Sequence, residues 1–128
     1  MMGNRAVIAM ENIDRKSEDC QGIYLHWNGG KDSIDGFLKY AKDMGFRGGD
    51  YGMARLTQVI CNYFGGILSC GIDSIKHLDC DNHDNGVYWI NDKFEIVKRE
   101  FAHYPEQQAY DLDSFVEEIK LQQPTKEE

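Results

Sequence analysis

The chain reads as one α+β domain: a mainly antiparallel five-stranded sheet, in the element order ββααβββα, with helices packed on one face. Two observations predict this. Short apolar runs of strand type stand near the N-terminus and again between residues 69 and 99. Three segments instead repeat their apolar residues at helical spacing, and two of these are adjacent, so strands and helices come in runs and not in strict alternation. A length of 128 residues with 41% hydrophobic residues suits a single core.

Taken in order, Asn4 to Met10 is short and β-rich, hence a strand. Glu11 to Cys20 is polar, with Asn12, Asp14 and Ser17 as breakers, and reads as a surface loop. Gly22 to Trp27 is the second strand. Its Ile23, Leu25 and Trp27 alternate with Tyr24 and His26, as a half-buried antiparallel strand requires, and it can pair with the first across the long loop. A helix is predicted from Asp32 to Met44, with Ile34, Phe37, Leu38, Ala41 and Met44 on one face. Asn28 or Asp32 can cap its start and Gly45 can end it. Tyr51 to Phe64 is a second helix, stopped by Gly65-Gly66, and the short link between the two predicts a helical hairpin.

From Leu68 the period falls to two. Ser69 to Lys76 reads as a strand with Cys70, Ile72 and Ile75 inward, and Asp79 to Asn85 as an acidic connection. Gly86 to Ile90 and Phe94 to Arg99 are strands joined by a hairpin turn at Asn91-Asp92-Lys93. Phe101 to Ala109 is an irregular return. Asp111 to Leu121 is the last helix, with Leu112, Phe115, Val116 and Ile119 inward. The domain is expected to span residues 1–121, with 122–128 as a loose tail.

A formal charge of −8 and a pI near 4.9 argue against direct nucleic-acid binding, which needs a basic footprint. Such a surface is steered toward basic protein surfaces, or serves only to keep a small protein soluble. The four cysteines, Cys20, Cys61, Cys70 and Cys80, form no Cys-x-x-Cys pair, so free thiols in a reducing compartment are expected, not a zinc framework. Residues 1–10 are too short and polar for a signal peptide, and no run is long enough for a membrane span. A cytoplasmic protein without membrane contact, cofactor or metal is expected. A homodimer is an open alternative.

Two stretches carry candidate chemistry. Asn28-Gly29-Gly30-Lys31-Asp32-Ser33 lies between a strand and a helix, where backbone N–H groups can hold an anion. Gly29-Gly30-Lys31-Asp32-Ser33 resembles the phosphate loop of the PP-loop ATP pyrophosphatases, which carry Ser-Gly-Gly-x-Asp-Ser. The resemblance implies a pyrophosphate cradled by glycine amides and a serine hydroxyl. The chain departs from that pattern at Asn28, and no parallel strand is predicted after the helix, as a doubly wound sheet requires. The alternatives are a nucleotide-sequestering site at Gly29, Gly30, Lys31 and Ser33 with Arg55 nearby, and a purely structural corner. The second stretch, Asp79 to Asn85, alternates acidic and polar residues but fails the calcium-loop template, because the twelfth position from Asp79 is Ile90. It reads as a solvated turn or as a contact surface for a basic partner through Asp79, Asp81 and Asp84. His26, His77, His83 and His103 show no metal-ligand or catalytic spacing.

The segments Met2 to Ile8, Tyr24 to Ser33, Tyr51 to Gly66 and Asp84 to Tyr88 together resemble a family of small proteins carried by prophages and mobile elements of Gram-positive gut bacteria. The resemblance brings no catalytic activity with it. It implies a context in which small acidic proteins inhibit host defence, anti-CRISPR proteins among them. On that basis the expected function is non-enzymatic inhibition of a host defence protein with a basic surface.

Overall fold

In the computed structural model, residues 4–65, 70–103 and 111–124 are described. The strands are β1 (Ala6–Met10), β2 (Gln21–Leu25), β3 (Cys70–Ser74), β4 (Val87–Ile90) and β5 (Ile96–Glu100); the helices are α1 (Lys31–Asp43), α2 (Gly49–Phe64) and α3 (Leu112–Leu121). The order is ββααβββα, and the sheet runs β3-β2-β1-β4-β5. It is mixed but mostly antiparallel: β1 pairs antiparallel with β2 and parallel with β4, and the outer pairs are antiparallel. The strand that leads into the glycine turn, β2, has antiparallel neighbours on both sides, so no doubly wound sheet is built around it.

The sequence of β1 explains its place at the centre. All five residues are apolar and buried, without alternation, because both faces of this strand are covered. Ala6, Ile8 and Met10 meet Ile34, Phe37, Leu56, Ile60 and the other inward residues of the helices. Val7 and Ala9 meet Cys20, Val87 and Trp89 on the opposite side, where Tyr24, Ile75, Leu78 and Cys80 pack over them. The helices do lie on one face, as expected, and a smaller core beneath two single-turn 3-10 helices, Ser17–Asp19 and Ile75–His77, closes the other.

Several boundaries differ from expectation for identifiable reasons. β3 ends at Ser74, and Ile75 leaves the ladder to plug the smaller core. Ile72, expected inward, is half exposed because β3 is an edge strand, of which the helical core covers Cys70 but not Ile72. Phe94 does not begin β5. It takes a left-handed conformation (φ 61°) in the turn, which drives its ring into the helical core beside Phe46. Gly45 and Gly65 end α1 and α2 in left-handed conformations, as read from the sequence. Neither Asn28 nor Asp32 caps α1: Gly30 holds that position without a side-chain bond, whereas Asp111 caps α3 by accepting from Ser114 N–H at 3.1 Å. The expected return at 101–109 falls outside the described residues from 104 to 110, as does the tail from 125.

The four cysteines are free. Cys61 of α2 and Cys70 of β3 bring their Sγ atoms to 2.7 Å, and burial, then the contact with Cys61, pushes the Cys70 thiol up to about 12. The thiolate is the reactive form. Iodoacetamide should therefore label Cys70 at least about tenfold more slowly in the native protein than in the unfolded chain, as read by peptide mapping.

The glycine turn packs against the sheet. Gly29 N–H donates to the Asn4 carbonyl at 2.8 Å, and the buried Tyr88 hydroxyl donates to the Gly29 carbonyl at 2.7 Å. A Cβ at Gly29 would stand 2.4 Å from the Asn4 carbonyl oxygen, a backbone atom that cannot step aside. Gly29→Ala should cost about 2–4 kcal/mol in urea unfolding; a neutral result would mean that the turn is free to move.

Candidate functional site

Residues 79 to 86 pass across the end of the sheet, and their side chains sort by direction. Asn82 is fully buried and organises the loop: its Oδ1 accepts from the N–H groups of Asp84 and Gly86 at 3.1 and 3.0 Å, and its Nδ2 donates to the Asp79 carbonyl at 3.1 Å. A buried amide with these partners holds a turn as firmly as a short stretch of sheet, because each bond broken would leave a buried polar group unsatisfied. Asn85 ties the loop to the start of β1. Its backbone N–H and side chain donate to the Arg5 carbonyl, and Nδ2 also reaches Asn4 Oδ1 at 2.7 Å.

Asp84 faces inward and corrects the expectation that it belongs to a contact surface. It is 7% exposed, and its Oδ2 accepts from Arg5 Nε at 2.8 Å and from Arg5 N–H at 3.1 Å. Burial pushes its carboxyl up, but the side-chain and backbone bonds from Arg5, with the guanidinium charge, more than offset this and hold it below the ordinary carboxylate range. Arg5 is raised in turn, chiefly by its bond to Asp84.

Asp79, Asp81 and His83 alternate with these buried residues and point outward. His103, just past β5, comes to the same spot. Its Nε2 stands 2.7 Å from Asp81 Oδ1, its ring centroid is 5.4 Å from that of His83, and its N–H donates to the Asp84 carbonyl at 3.3 Å. One ligand atom from each of Asp81, His83 and His103 lies within 4.8 Å of the other two, so these are the described residues that could hold a metal ion. Spacing along the chain does not reveal this group, since His103 stands 20 residues beyond His83. The signal lay in the predicted hairpin: β4 and β5 pair Val87 with Glu100, and following that register past the strand ends brings residue 103 opposite residue 84, next to His83.

The residues weighed as a phosphate site do not converge. Lys31 Nζ is engaged by Asp35 at 2.7 Å, the Ser33 hydroxyl accepts from Asn28 Nδ2 at 3.2 Å, and Gly29 N–H is taken by Asn4. Gly30 is buried at the helix start. Arg55 is exposed on α2 and lines a cleft with Tyr40 and Gln58, whereas Lys31 lines another with Lys39 and Phe94. A cradle of Gly29, Gly30, Lys31, Ser33 and Arg55 is therefore not assembled.

A further cleft of about 720 Å³ lies between the end of α2 and α3, with Trp27, Tyr63 and Leu121 on its walls and Asn28 and Glu118 as polar groups. Trp27 and Leu121 are 43% and 79% exposed, so Trp27 stands at a rim, unlike Trp89, which is core. Burial, then the charge of Glu118, pushes the Tyr63 hydroxyl up against a smaller opposing effect from Asn28.

No helix among the described residues is long and apolar enough to cross a membrane. Comparison with known proteins gives no match to a family model, to a curated protein or to a solved structure.

Because the folded-state pKa of Asp84 is depressed, its contribution is full above the unfolded value and is lost as pH falls through the folded one. Asp84→Asn should cost about 1–2 kcal/mol at neutral pH, because the amide oxygen can still accept from Arg5 but without the charge that strengthens those bonds. The gap to the parent should close below about pH 4 in a series of denaturant titrations.

Proposed function

We propose that the protein is a non-enzymatic binding protein of phage or mobile-element origin that inhibits a host defence protein by covering a basic surface of it. The contact is made by the outward side of the 79–86 loop, with Asp79 and Asp81 as its charged groups. Asp84 acts from beneath, as part of the base. What supports this reading is the rigidity of an exposed acidic loop on a chain of net charge −8: the carboxylates of Asp79 and Asp81 stand on a backbone already ordered by Asn82, Asp84 and Asn85. A pre-ordered loop loses little conformational entropy on docking, and its charge accelerates encounter with a basic face. The mobile-element context comes from the sequence resemblance alone.

The experiment is a binding assay with purified nucleoprotein defence effectors, RNA-guided nucleases among them, by size exclusion and by titration at rising salt. A complex is expected at low salt, weakening as salt screens the contact. Asp79→Asn with Asp81→Asn should weaken it at least about tenfold, the scale expected when charges leave a docking surface. Failure to form any complex at low salt, or a complex that the double variant leaves unchanged, would overturn the reading.

A further inference from the structure

We infer that Asp81, His83 and His103 form a binding site for a divalent late transition-metal ion of the zinc type. Two imidazoles and one carboxylate are a borderline-soft donor set, suited to zinc, nickel, copper or cobalt and unsuited to calcium or magnesium, which take mostly oxygen. In a tetrahedral zinc site with bonds of about 2.0–2.2 Å, neighbouring ligand atoms stand about 3.3 Å apart. Here the three ligand atoms lie within 4.8 Å of one another, with His103 Nε2 and Asp81 Oδ1 at 2.7 Å. The remaining difference is of a size that rotations of three exposed side chains can close.

The backbone is indeed fixed. Asp81 and His83 flank buried Asn82, whose side chain takes the N–H groups of Asp84 and Gly86. His83 holds a left-handed conformation (φ 64°), uncommon for a residue with a Cβ, which turns its ring toward the same side as Asp81. His103 is bound to the loop through its own N–H and the Asp84 carbonyl. Three protein ligands leave a fourth position open to water or to a donor from outside, the pattern of an open zinc site and not of a closed structural one. Exposure on all three ligands makes the ion exchangeable. Asp81 is shared with the partner contact proposed above, but metal binding is read on the protein alone and does not need that partner.

The test is zinc titration of the full chain by isothermal calorimetry, together with heteronuclear NMR of the histidine rings and cobalt(II) absorption. One equivalent should bind. The ring resonances of His83 and His103 should move while those of His26 and His77 stay in place. The cobalt spectrum should lack the intense thiolate charge-transfer band that cysteine ligation would give. His83→Asn, which tolerates the left-handed backbone, and His103→Gln should each weaken binding at least about tenfold, as loss of one of three ligands requires. Asp79→Asn should leave zinc binding unchanged, which separates this site from the proposed partner contact. No binding at millimolar zinc, shifts confined to other histidines, or a thiolate band would overturn the assignment. If a variant fails to fold, the ring shifts of the parent protein still decide.

Discussion

Two residues at the entry to β1 carry the constraint on which the remaining features of this end of the molecule depend. Asn4 donates its N–H to the His26 carbonyl and accepts Gly29 N–H on its own carbonyl, which seats the glycine turn. Arg5 gives its N–H and Nε to Asp84 and receives Asn85 on its carbonyl, which seats the acidic loop. The two stretches singled out by the sequence are therefore neighbours, fastened to consecutive residues that lead into β1. Among the described residues no buried side-chain nitrogen or oxygen lacks a hydrogen-bond partner, and loss of one member of this knot leaves others unpaired in a partly buried setting, where an unmade bond is costly.

This arrangement separates residues that hold the loop from residues that the loop displays. Asn82, Asp84 and Asn85 spend their polar atoms on backbone and on Asn4 and Arg5, whereas Asp79, Asp81, His83 and His103 face solvent. The exposed pairs elsewhere, such as Lys39 with Asp43 and Lys76 with Asp19, contribute little to stability because water screens them and their long side chains must be ordered. The bond from Arg5 to Asp84 differs, since it lies mostly out of solvent on the acidic side and is doubled by a backbone donor. The consequence for function is a surface loop with the rigidity of a strand end, able to present charge or metal ligands without first being ordered.

Much of the architecture was legible because it follows from local patterns. The helical spacing of Ile34, Phe37 and Leu38, the glycine stops at Gly45 and Gly65 and the hairpin at 91–93 each rest on neighbours a few residues apart. Each reappears in the structure within a residue or two. What was not legible depended on distant packing. Phe94 looks like the first residue of a strand, yet Phe46 and the helical core draw it into the turn. Ile72 has the parity of an inward residue, but on an edge strand it is only half covered. Asp84 and Asp81 are chemically alike and three residues apart; only the position of Arg5 makes one a buried ion-pair partner and leaves the other outside.

The sequence by itself determined the class of fold, the order of its elements and the acidic character of the surface, because these are set by periodicity and composition. Only the tertiary structure decided that Gly29-Gly30 is a packed corner beneath Tyr88, and that Asp81, His83 and His103 meet. The physical reason is the same in both cases. A glycine pair is free to cradle an anion or to admit a carbonyl, and a histidine can point to solvent or to another ligand. The choice is made by partners 20 to 80 residues away in the chain, which the sheet brings within hydrogen-bonding distance.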